Sequence, residues 1–168
     1  FRPMEWFAIL RYVVVLAVFT AVGAPLAAWV FRALPGRGAA FALPAALVPT
    51  TLLTIWIGQL AFGLWTLVLA LGLTALAAAV AYRQGARPDW GAVWRAFGVF
   101  LLGFGFLVAV RASDPAVTPQ GGEQFLHYAL TRSIERATVL PPEDVWFAGE
   151  PLRYYFGGQL QVTGLSML

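Results

Sequence analysis

Six of the eight carboxylates in this chain, Asp114, Glu123, Glu135, Glu143, Asp144 and Glu150, fall within residues 112–153, where they meet Arg132, Arg136 and Arg153. Paired carboxylates beside a membrane suit a general base and a divalent-metal ligand, and an arginine among them suits a phosphate leaving group. The same acids also suit a solvated loop, since turns favour such residues. Two placements favour chemistry. Asp114 follows an apolar run by a few residues, which holds it near the headgroups, and Glu143-Asp144 sits in a turn between prolines and aromatics. Rigid settings make better sites than mobile ones. His127, the single histidine, lies four residues after Glu123, so the two share a helical face. It could ligate a metal or shuttle a proton, or it could be the polar tip of an amphipathic helix. Trp146-Phe147 and Tyr154-Tyr155-Phe156 could stack on a sugar ring, yet aromatics also gather at membrane interfaces. Gly157-Gly158 forms no phosphate loop and reads more plainly as a place for close helix packing.

The elements that must position these residues are hydrocarbon. Hydrophobic residues make up 60% of the chain and charged residues 11%, too little charge to wet the surface of a soluble domain. The apolar runs are continuous rather than alternating, which indicates helices and not barrel strands. The expected fold is all-α, a polytopic transmembrane helical bundle. Residues 1–111 supply four spans, at about 12–31, 41–57, 64–82 and 91–110; Pro25 should kink the first. The run from Phe41 to Tyr82 is about twice the bilayer thickness as one helix, so it folds back near Gly58-Gln59 to Gly63.

Residues 112–153 then form an extracytoplasmic acidic loop. It contains an amphipathic helix over 123–137, because Phe125, Leu126, Leu130, Ile134 and Ala137 recur at three-to-four spacing. Residues 154–168 start a fifth span. Arg32 and Arg37 in the first connection and Arg83 and Arg87 in the third, against none in the second, place the N-terminus and the 112–153 loop outside the plasma membrane. Arg2 and Arg11 weigh against that orientation. The lipid bilayer is the first partner. Every basic residue is arginine, which suits phosphate binding and equally follows from codon bias. No basic patch with stacking aromatics points to nucleic acid. Without cysteine there is no disulfide. The chain stops at Leu168 inside a fresh apolar run, so it is expected to be a fragment or truncated frame.

Three stretches, Gly121-Gly122-Glu123, then Leu140-Pro141-Pro142-Glu143-Asp144-Val145-Trp146-Phe147-Ala148-Gly149-Glu150-Pro151, then Tyr154-Tyr155-Phe156-Gly157, resemble in order the YYY-domain membrane proteins, domain of unknown function 2298. The resemblance covers that family's N-terminal part. It implies similarity to C-type glycosyltransferases, which take sugar from a polyprenyl-phosphate donor and carry an acidic first outer loop. The family's acidic motif reads Glu-Lys-x-x-Asp, whereas here Gln124 follows Glu123 and His127 stands at the aspartate position. The third tyrosine is Phe156 and the histidine after the glycines is Gln159. These departures put activity in doubt.

The expected function is therefore that of a fragment or divergent copy of a glycosyltransferase-like membrane protein, inactive alone. Its candidate catalytic residues are Glu123 and Asp114. Arg153, Trp146, Tyr154, Tyr155, Glu143 and Asp144 are the candidate substrate contacts, with a divalent metal an open question. The alternative is a non-catalytic scaffold or degenerate copy whose loop binds a partner.

Overall fold

The computed structural model describes residues 3–113 and 122–168, so the candidate Asp114 lies outside the described residues. The fold is all-α and polytopic. Four helices, α1 (Pro3–Val30), α2 (Ala42–Gly58), α3 (Leu64–Arg83) and α4 (Trp90–Ser113), carry the long apolar runs, and each run is long and apolar enough to cross a membrane. Val99, Leu102, Phe106 and Leu107 of α4 are each at least 65% exposed. A row of large apolar side chains left open in this way belongs against lipid. Two shorter helices follow, α5 (Glu123–Arg136) and α6 (Gly157–Met167).

The described residues divide into two compact units. The first takes in the chain up to Thr50 and Leu69–Gly103. Lipid offers no hydrophobic drive between helices, so helices there hold together by close approach and by hydroxyl bonds. Both devices are present. Gly23 of α1 lies directly against the backbone of Ala42, where a Cβ would overlap the Ala42 carbonyl oxygen, and Ala24, Ala39, Ala42 and Val93 form a buried cluster of mostly small residues. Thr50 of α2 donates to Thr74 of α3 at 3.0 Å, and Thr74 donates to the Ala70 carbonyl at 2.9 Å, so neither buried hydroxyl is left unbonded.

The connection between α1 and α2 turns sharply through Pro35–Phe41, where Arg37 takes a left-handed φ of 53°. Its guanidinium donates to the Arg87 carbonyl at 3.0 Å, and the Arg87 guanidinium sits 4.1 Å from the centre of the Tyr82 ring. The arginine-bearing first and third connections thus lie at one end of this unit. Asp89 begins α4 by accepting the Ala92 N–H at 3.0 Å, as an N-capping aspartate does.

The second unit comprises Thr51–Val68 and the described residues from Phe104 onward. After α2 the chain reverses between Gly58 and Leu64, and Thr66 ties the reversal by donating to the Ala61 carbonyl at 3.1 Å. Two backbone bonds join this turn to the segment after α5. Phe62 N–H donates to the Thr138 carbonyl at 2.6 Å, and Leu140 N–H donates to the Gly58 carbonyl at 2.7 Å. Leu140 packs onto Gly58, where an added Cβ would come within 2.6 Å of Leu140 Cδ1. Around the pair, Phe62, Ile134, Leu140 and Leu160 form a buried cluster with Ile55, Ala137 and Phe156 against it. Amphipathic α5 buries Leu130 and Ile134 completely and leaves Gln124, His127, Tyr128, Arg132 and Arg136 exposed. Gly164 of α6 meets Leu67 at the start of α3.

Gly23 and Gly72 make a matched test, because nothing lies within 4 Å of a Cβ at Gly72. Gly72→Ala should leave stability unchanged or raise it by up to about 1 kcal/mol from helix propensity. Gly23→Ala should cost about 1–3 kcal/mol from overpacking, lowering the thermal midpoint in detergent. Equal midpoints for the two variants would overturn the close-approach account.

Candidate functional site

The segment after α5 is short of hydrocarbon, so its conformation has to come from hydrogen bonds. Pro141 and Pro142 cannot continue a helix, and the backbone instead folds into a narrow loop closed twice. Asp144 N–H donates to the Glu150 carbonyl at 2.9 Å and Leu152 N–H to the Pro142 carbonyl at 2.8 Å. The two carboxylates lock the loop from inside: Glu143 Oε1 accepts the Gly149 N–H at 2.7 Å and Asp144 Oδ1 accepts the Trp146 N–H at 2.8 Å. Ser133 of α5 donates to the Glu143 carbonyl at 2.5 Å, fastening the loop to the helix. Trp146 and Phe147 stand at the tip, 62% and 68% exposed. Arg153 and Glu150 pair loosely at 3.9 Å with both side chains well exposed, a geometry that contributes little.

Tyr154 and Tyr155 stand together, and the charge of Glu123 acts weakly on Tyr154. The two tyrosine rings stack with centroids 4.1 Å apart, and the Tyr154 hydroxyl donates to the Tyr155 hydroxyl at 2.7 Å. That bond holds Tyr154 above the usual phenol pKa, with smaller contributions from burial and from the nearby Tyr155 and Glu123 charges. Glu123 is exposed in the first turn of α5, where a carboxylate faces the positive end of the helix dipole.

Along the flank of α5 lies a second feature that the acidic residues alone did not point to. A groove of about 650 Å³ runs between α5 and residues 138–145, lined on the helix by Tyr128, Arg132, Ser133 and Arg136 and on the loop by Glu143 and Asp144. Arg132 is fixed, donating to Glu135 at 2.6 Å and to the Tyr128 hydroxyl at 3.2 Å. The Glu135 bond first, and then the Tyr128 bond, raise its pKa above the ordinary guanidinium value, so it stays charged throughout the accessible pH range. Arg136 makes no ion pair or side-chain hydrogen bond among the described residues. The four-residue spacing of the two arginines is the sequence signal that marks them as neighbours on one helical face. His127 stands on exposed α5 surface, and among the described residues no three acidic or histidine side chains gather as a metal-binding group.

With four long apolar helices, the chain is a multi-pass membrane protein. Residues 48–168 match the family described as "Uncharacterized membrane protein (DUF2298)", and the chain belongs to that family. The match takes in the whole second unit, with Glu123, the loop and the groove. Neither the curated proteins nor the solved structures provide a match to this chain.

Two consequences can be measured. Replacing Glu143 by alanine frees the Gly149 N–H, and a net hydrogen-bond contribution of about 1 kcal/mol makes that amide exchange with deuterium roughly fivefold faster. Unchanged protection across 143–152 would mean the carboxylate does not lock the loop. Tyr155→Phe removes the acceptor that stabilises neutral Tyr154, so in an ultraviolet alkaline titration one tyrosine should ionise at lower pH than in the parent protein. The sign follows from the raised value: stability from this bond is present below the ordinary phenol range and is lost as pH climbs through the elevated pKa. A titration curve that changes only by the loss of one ordinary tyrosine would remove the hydroxyl pair.

Proposed function

We propose that this protein is a glycosyltransferase-like membrane protein of the plasma membrane. In this reading it moves a sugar from a polyprenyl-phosphate donor at the outer face, with the N-terminus and the 112–153 loop outside. Glu123 takes the proton from the acceptor hydroxyl as that oxygen forms a bond to the sugar's anomeric carbon. The bond from that carbon to the phosphate oxygen breaks, and polyprenyl phosphate leaves with the electron pair. Asp114 is the second candidate for base or metal ligand, and Arg153 the arginine the sequence places near the phosphate.

The observation that supports this reading most is the stacked, hydroxyl-paired Tyr154–Tyr155 face, of the kind that receives a sugar ring, with the Glu123 charge acting on Tyr154. The arginine-bearing connections meet through Arg37 and Arg87, while the 58–62 turn is bonded to residues 138–140. Such groupings are what an alternating topology with arginines inside requires. A second reading, a non-catalytic scaffold, draws on a different observation: Glu143 and Asp144 each spend an oxygen on their own loop's backbone.

The test is transfer of radiolabelled sugar from a polyprenyl-phosphate donor by the protein in proteoliposomes. Glu123→Gln should lower the rate by about 10²–10⁴, the range for loss of a general base, with helical content unchanged. If neither parent nor variant transfers or binds the donor, the scaffold reading replaces this one.

A further inference from the structure

The groove beside α5 is lined by residues of both charges. It holds two guanidiniums one helical turn apart, one of them fixed and one without a partner among the described residues. Facing them, Glu143 and Asp144 are held at fixed positions because one oxygen of each accepts a backbone N–H. The other carboxylate oxygen of each has no hydrogen bond among the described residues. A simple anion would be drawn to the arginines and repelled by the acids, and a simple cation the reverse. A ligand that satisfies both walls carries one negative group and several hydroxyls. Planar guanidiniums match phosphate oxygens in pairs, and carboxylates accept sugar hydroxyls. The volume of about 650 Å³ is in the range of small-molecule sites and exceeds what an inorganic ion needs.

We infer that this groove binds a phosphorylated sugar headgroup, with its phosphate on Arg136 and Arg132 and its hydroxyls on Glu143 and Asp144. This deepens the sugar-transfer reading and rests on it for the sugar. It assigns the phosphate to α5 rather than to Arg153, which does not line the groove and lies beside Glu150 instead. Arg132 is a positioned donor whose pairing with Glu135 and Tyr128 leaves further N–H groups for the ligand. Arg136 supplies the free charge.

The experiment measures binding to the whole protein in phosphatidylcholine nanodiscs, using three probes: a polyprenyl-phosphate sugar in the bilayer, and glucose 1-phosphate and inorganic phosphate in solution. Arg136→Gln should weaken binding roughly ten- to a hundredfold, the loss of one charge-assisted contact. Arg136→Lys should recover part of it, and Arg83→Gln, a charge change outside the groove, should leave it unchanged. Arg132→Gln is the less clean variant because it also breaks the Glu135 pair. If glucose 1-phosphate competes with the bilayer probe, the groove reads the sugar phosphate itself. If only the polyprenyl-phosphate sugar binds, and does so through Arg136, the source is lipid.

Equal affinity in Arg136→Gln and parent, inorganic phosphate binding as tightly as glucose 1-phosphate, or no saturable binding of any probe would overturn the inference. The two readings fail separately. Transfer lost in Glu123→Gln with donor binding intact in Arg136→Gln removes the groove and keeps the enzyme. Probe binding lost in Arg136→Gln without any transfer by the parent keeps the groove and removes the enzyme.

Discussion

The pair of backbone bonds between the 58–62 turn and residues 138–140 is the constraint from which the second unit follows. A reversal between two long apolar helices leaves peptide groups outside the helical ladder, and buried ones are costly unless something bonds them. Here the Gly58 carbonyl and the Phe62 N–H are taken by the irregular segment after α5. That fixes where α5 ends, since Thr138 lies only two positions after Arg136 and Leu140 only four. With the end of α5 fixed, its apolar face has to settle on Phe62 and Leu160, and its arginines are turned along the opposite flank. The locked loop starts immediately afterwards, at Pro141, so its place beside α5 is set by the same two bonds.

The two units solve the packing problem with different chemistry, for a physical reason. Between membrane helices the alternative to a protein contact is lipid, which is as apolar as leucine, so small residues and threonine hydroxyls supply the adhesion at Gly23, Ala42, Thr50 and Thr74. Around α5 the alternative is polar surroundings, as its exposed Gln124, His127 and Arg136 indicate. There the ordinary hydrophobic effect applies, and Leu130, Ile134, Leu140 and Leu160 are large and almost fully buried.

This division also explains what could be read in the sequence. Long uninterrupted apolar runs have one solution in a bilayer, so the all-α polytopic fold was legible from composition and run length. Three-to-four spacing of Leu130 and Ile134 made α5 legible in the same way. The locations of polar contacts were not, because a carboxylate's partner depends on backbone positions that no periodicity encodes. Glu143 and Asp144 look in sequence like a free acidic pair, and in the structure each holds an N–H within its own loop. Arg132 and Arg136 carry no sign in sequence of which residues lie beside them, and in the structure Glu143 and Asp144 line the same groove. The Glu123–Tyr154 proximity joins residues 31 apart in the chain and has no local signature.

Local consistency fails at a few points, and their distribution carries information. On α6, immediately after the tyrosines, Gln159 Oε1 and Thr163 Oγ1 are buried without a hydrogen-bond partner among the described residues. Native folds rarely leave such groups unbonded, and those that do concentrate them where something else binds or moves. Both oxygens lie within the stretch that carries the family match and in the same unit as the locked loop and the groove. The first unit satisfies its buried Thr20, Thr50 and Thr74 hydroxyls within itself. Among the described residues, the buried side-chain polar atoms left without a hydrogen bond therefore both lie in the second unit.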